Sequence, residues 1–136
     1  MATTGKINGS KLLVYVGSNL IAGSTSHSVS MNTATIDVTT KDSKGWTYIL
    51  AGLRDWSIDG EGMSEFDAVY GVNDLRSLWL NRTQVTVRFS TNVSGDEYLE
   101  GTAYLTSLSE DASMEEATTF SFTFTGNGPL NTPTYT

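Results

Sequence analysis

His27 is the only histidine of the chain, and there is no cysteine. A hydrolytic triad needs a histidine beside a nucleophile and an orienting carboxylate. His27 stands instead in the serine-rich stretch 24–32, with no glycine elbow to present a nucleophile, a setting that fits a structural or exposed histidine. The lack of cysteine removes a disulfide scaffold, thiolate metal sites and a thiol nucleophile together. Carboxylates gather twice. Asp37, Asp55, Asp59 and Glu61 are of the types that serve as paired catalytic acids or calcium ligands, but they fall along alternating strands and lack the dense acidic loop that makes a calcium site legible. Asp111, Glu115 and Glu116 lie in a polar link and read as solvated. Gly126-Asn127-Gly128 has no strand-to-helix setting for a phosphate and reads as a turn. The expectation is a protein without catalytic residues, cofactor or metal.

The elements carrying these residues are mostly strands. A chain of 136 residues is one domain, able to build one core without staples. With 15 acidic against 8 basic residues its net charge is −7, the wrong balance for a protein that holds nucleic acid by neutralising phosphates. That charge is compatible with a surface past which nucleic acid slides. No segment approaches the roughly 18–20 apolar residues of a membrane span, and the first ten residues read as a flexible polar arm (1–10) rather than a signal peptide. Leu12–Val16 and Leu20–Gly23 flank a Gly-Ser-Asn break and predict a hairpin. In 24–32, Ser26, Ser28 and Ser30 alternate with His27, Val29 and Met31, and 33–40 continues the pattern. One convincing helix is expected between Phe66 and Arg82, capped at Asn73-Asp74, with Leu75, Leu78 and Trp79 forming its apolar stripe. Val85, Val87 and Phe89, then Leu99, Ala103 and Leu105, then Phe120, Phe122 and Phe124 each alternate with polar residues. The last gives the cleanest strand, aromatic on one face and hydroxylated on the other. The expected fold is mainly β: a β-sandwich or open β-barrel of about seven to eight strands with one flanking α-helix. It occupies 11–128 as a single domain, and 129–136 forms a C-terminal tail.

Lys41-Asp42-Ser43-Lys44-Gly45 interrupts the strands with a charged run that a core cannot use, and Trp46, Tyr48, Ile49 and Leu50 follow it. A loop over 40–47 protruding between two strands implies something outside the subunit to meet it. An aromatic-lined barrel holding a small ligand, or a carbohydrate face built from Trp46, Tyr48, Trp56 and Tyr104, is the alternative reading. It leaves the charged run without a use.

A Thr/Ser-rich strand, Lys-Asp-Ser-x-Gly-Trp at 41–46, Leu-Ala-Gly at 50–52 and Arg-x-Trp-Ser-Ile at 54–58 closing on Gly-x-Gly resemble the tail tube, or major tail, proteins of long-tailed bacteriophages. A second block, 101–108 followed by 117–130, agrees, so the resemblance covers about residues 5–130. It implies a virion protein that self-assembles into homohexameric rings, with neighbouring sheets joined edge to edge and rings stacked into a tube. Double-stranded DNA would pass through that tube without specific binding. Lys41, Asp42, Ser43, Lys44, Gly45 and Trp46 would be the ring-stacking loop, helped by the two chain ends. Asp37, Asp59 and Glu100 are the lumen candidates, where acidic charge would repel phosphate. The implied partners are a tape measure protein, a tail terminator and distal tail or baseplate proteins. The implied location is the phage tail, assembled in the host cytoplasm.

Overall fold

Seven strands form one antiparallel sheet, and a computed structural model describes its residues 4–6, 8–9, 12–21, 23–64, 70–112, 114–115 and 117–135. In chain order the elements are β1 (Leu13–Val16), β2 (Asn19–Leu20), β3 (Ser24–Asp37), β4 (Ile49–Met63), α1 (Val72–Asn81), β5 (Gln84–Ser90), β6 (Leu99–Asp111) and β7 (Thr119–Gly126). The sheet order is β2-β1-β5-β6-β7-β4-β3, so β2 and β3 are free edges and the sheet is not closed. This is the open form of the expected architecture. β1 and β2 make the expected hairpin, pairing Val16 with Asn19 around Gly17-Ser18.

One face of the sheet carries the core. Phe120, Phe122 and Phe124 of β7, Trp56 and Ile58 of β4, Ala103 and Leu105 of β6, Val87 of β5 and Val14 and Val16 of β1 are all buried, which is the period-2 alternation of a half-buried sheet. Glycines across the sheet make room for the rings. A Cβ on Gly60 would strike the Phe122 ring, and Cβ atoms on Gly101 or Gly126 would strike the Trp56 indole. Trp56 therefore lies flat over neighbouring strands, and its Nε1 donates to the Gly128 carbonyl at 3.0 Å.

Helix α1 covers this face along β6, burying Val72 and Leu75. Its start differs from expectation. The N-cap is Gly71, whose N–H donates to the Asp74 carboxylate at 3.0 Å, so Asp74 acts from the third helical position and Asn73-Asp74 lies inside the helix. Phe66 falls outside the described residues. Trp79 also leaves the expected stripe: it is exposed beside Leu80, while Leu78 packs on the core. Arg76 holds the helix to the sheet through an ion pair with Glu110.

The C-terminal tail is tied down. Past β7, the Glu100 and Asn131 amides and carbonyls exchange hydrogen bonds of 2.9 and 2.7 Å, Tyr98 N–H donates to the Pro133 carbonyl, and Tyr135 N–H donates to the Asp96 carbonyl. These backbone groups are satisfied within their own subunit and do not wait for a neighbour. Of the expected N-terminal arm, residues 1–3, 7 and 10 lie outside the described residues, and Thr4–Lys6, Asn8 and Gly9 are exposed.

Candidate functional site

Two surfaces remain without a use inside the subunit: the projection made by β3 and β4, and the face of the sheet opposite the core.

Sequence alternation suggests a strand through 24–40 and a second at 55–59, joined by a protruding loop over 40–47. The structure has both, with the second strand starting already at Ile49, so that β3 and β4 form one long ladder paired from Ser24–Gly62 to Asp37–Ile49. β4 pairs with β7 only from Ser57 to Met63. From Trp56 toward the tip, the two strands pair only with each other among the described residues, while Trp56 still packs against β6 and β7. At about 3.3 Å per residue, the ladder from Ser57 to Ile49 carries the tip roughly 25 Å past the last pair of β4 with β7. The arm is thus longer than the expected loop 40–47 and includes both strands behind it. It holds more than half of the exposed large apolar side chains among the described residues, with Met31, Ile36, Trp46, Ile49, Leu50 and Leu53 among them. Leu53 is 87% exposed and Trp46 72%. A two-stranded ribbon with apolar side chains in water gains nothing from them alone.

The tip is nevertheless shaped. Lys41–Ser43 form a 3-10 turn in which the Ser43 N–H donates to the Thr40 carbonyl, and the Thr40 N–H donates to Ser43 Oγ at 3.1 Å. This leaves Ser43 buried. Lys44 and Gly45 follow in the left-handed region, at φ 55° and 87°, which turns the chain back so that Trp46 N–H reaches the Ser43 carbonyl. Thr39 Oγ1 accepts from the Tyr48 N–H at 2.9 Å, and the Tyr48 carbonyl accepts from the Val38 N–H. Every residue of the expected loop except Ser43 faces solvent. Lys41 and Lys44 have no ion pair among the described residues.

The second surface is the face of the sheet away from α1. Register places Ser26, Ser28 and Ser30 of β3 beside Glu61, Asp59 and Ser57 of β4. Those in turn sit beside Ser121, Thr123 and Thr125 of β7. Asp111 of β6 pairs with Thr119, and Tyr104 and Thr102 pair with Gln84 and Thr86 of β5. Hydroxyls here satisfy one another and the carboxylates: Thr123 donates to Asp59 at 2.7 Å, Ser26 donates to Glu61 at 3.0 Å, and Thr106 and Thr125 share a bond of 2.9 Å. Arg88 is paired with Glu100 through Nε at 2.7 Å and lies 5.6 Å from the Tyr98 ring centroid.

The three lumen candidates do not all meet. Asp59 and Glu100 share this hydroxyl face, but Arg88 neutralises Glu100. Asp37 lies far along the arm, on the alternation of His27, Val29 and Met31, which is the core side. Its carboxyl is held below the usual range by hydrogen bonds from the Thr39 side chain and amide. The acidity of the face comes from Asp55, Asp59, Glu61 and Asp111. Three of these are missed by the sequence-based choice, although Asp55, Ser57, Asp59 and Glu61 share one parity on β4 and that signal is readable.

The carbohydrate grouping comes apart. Trp56 is core, Tyr104 lies on the hydroxyl face, and Trp46 and Tyr48 are on the arm. His27 faces the core side beside Gly60, with its Nε2 buried and unpartnered among the described residues. Burial lowers its pKa.

A family model described as phage tail tube protein matches residues 7–132. Among solved structures, the chain is similar to one from the virion of a native gene transfer agent particle, at 24% identity and a TM-score of 0.81, covering 94% of this chain and 99% of that one. A chain from the tail of an empty gene transfer agent particle, refined with C6 symmetry, matches at 23% identity and a TM-score of 0.79, with the same coverage. The SPP1 tail tube protein matches at 14% identity and a TM-score of 0.66, over 90% of this chain and 76% of that one. At these identities the structural likeness establishes the fold. No curated protein matches by sequence.

Proposed function

Because the chain belongs to the phage tail tube protein family, a structural role in the tube wall is its starting point, and we propose how its surfaces perform it. Six copies close a ring by joining free sheet edges, β3 of one copy meeting the β2–β1 side of the next. Joining them removes unpaired strand edges that would otherwise template aggregation. Rings stack because the arm crosses from one ring to the next, a heterologous contact that repeats along an axis without closing. The observation that carries this reading is the arm itself: a ribbon projecting past its own core, with apolar side chains that only another subunit can bury.

The hydroxyl face then lines the channel. Its carboxylates give DNA phosphates repulsion and no counterion-releasing grip, while its hydroxyls keep the wall hydrated. Such a wall conducts a genome and performs no catalysis. A tape measure protein during assembly, a terminator at one end and distal tail or baseplate proteins at the other are the partners this role requires. Assembly in the host cytoplasm and residence in the virion tail follow from it.

Replacing 41–45 by a two-residue Asn-Gly turn tests the stacking role, since that turn suits paired strands and leaves the core intact. Circular dichroism should report an unchanged fold, while sedimentation and negative-stain imaging should show no tubes. Normal tubes from the shortened chain would remove the arm from ring stacking.

A further inference from the structure

The arm tip has a counterpart at the opposite end of the same molecule. β4 runs away from the arm tip, β7 is antiparallel to β4, and β6 is antiparallel to β7. The β6–β7 connection after Asp111 therefore points away from the arm. The two connections are also opposite in character. The arm tip carries Lys41, Asp42 and Lys44 before Trp46, a net positive charge, whereas the β6–β7 connection carries Asp111 and Glu115 around Met114, which is 91% exposed. None of these charged groups has an ion pair among the described residues. Each connection is thus an exposed apolar side chain among charges whose balance is positive at the tip, with two lysines against one aspartate, and negative at the β6–β7 connection.

Resting on the stacking role above, we propose that the β6–β7 connection is the socket for the arm tip of a second copy in the adjoining ring. Trp46 packs on Met114, a thioether-on-aromatic contact that tolerates imperfect fit. Lys41 and Lys44 face Asp111 and Glu115, which sets the direction of stacking, because tip-to-tip and socket-to-socket approaches bring like charges together. The tube acquires a polarity from this arrangement. The contact is exposed at its rim, so assembly weakens as salt rises.

Charge reversal tests the pairing on the full chain. One variant is Lys41→Glu with Lys44→Glu, a second is Asp111→Lys with Glu115→Lys, and a third combines all four. Folding is followed by circular dichroism and assembly by sedimentation and negative stain. Each single-sided reversal should fold normally and raise the concentration needed for tubes by about tenfold or more, and the combined variant should restore assembly. Tubes forming normally from the second variant, or no recovery in the combined variant, would overturn the socket. The arm-shortened chain separates the two ideas. If it makes no tubes while the socket reversal is harmless, stacking stands and its socket lies elsewhere. If it makes normal tubes, the stacking role falls with the socket.

Discussion

Removing the Phe122 ring should unlock the centre of the core. Phe122 is 2% exposed, its ring lies 6.1 Å from Phe120 and 5.5 Å from Phe124 between centroids, and Gly60 sits opposite it on β4. Phe122→Ala would leave a space that Gly60 has no side chain to fill, and strand pairing with β4 and β6 on both sides prevents the backbone from closing it. A buried Phe→Ala change costs about 3–5 kcal/mol. The same change removes both ring–ring interactions, each worth about 0.5–1.5 kcal/mol, which places this site in the upper half of that range. For a domain of this size the melting temperature should fall by about 15 °C. Urea titration and thermal circular dichroism on dilute, unassembled protein read folding apart from assembly. The converse change sharpens the test. Gly60→Ala drives a methyl group into the same ring and should cost about 1–3 kcal/mol, but paired with Phe122→Leu it gains room. The double variant should therefore lose about 1 kcal/mol less than the sum of the two single variants. Additive losses, or a Phe122→Ala loss below about 1 kcal/mol, would refute the packing described.

Two titrations bound stability in pH. The pKa of His27 is lowered from its ordinary 6.5 by burial, so the unfolded chain takes up the proton first: stability should fall as pH drops below 6.5, and His27→Gln should flatten that slope in thermal melts. Tyr70 is raised from 10.0 to about 12 by burial and by Asp74. Its contribution should be present below pH 10 and lost between there and about pH 12, a loss that Tyr70→Phe abolishes. For the channel, converting Asp55, Asp59 and Glu61 to Lys should leave assembly intact but slow DNA ejection, most strongly at low salt; unchanged ejection kinetics would remove these positions from the lumen wall.

Where burial imposes a period, the sequence is readable. Phe120, Phe122 and Phe124 against Thr119, Ser121, Thr123 and Thr125 place β7 and both of its faces, because one side of that strand is core and the other water. The arm is harder. Its strands bury nothing, so apolar and polar residues need not alternate, and an irregularity in pairing between Thr33 and Thr35 breaks the parity that would run from Asp59 back toward the tip. Asp37 keeps the parity of β3, but which face of that strand meets the core depends on strand order, which periodicity does not give. Helix α1 begins at a glycine cap because Asp74 acts from the third helical position, a distinction that composition alone does not make. The C-terminal strap is invisible in the sequence because single bridges such as Glu97–Thr134 and Glu100–Asn131 leave no periodic trace. The charged run at 41–45 is legible as a solvent-facing turn, since a core has no use for it.

Helical reconstruction of purified tubes by electron cryomicroscopy tests the tube role most directly. Six subunits per ring around a channel are expected, with Asp59 and Glu61 on the channel wall, α1 on the outside and each arm crossing into the next ring. A channel lined by α1, or arms folded within their own ring, would contradict it.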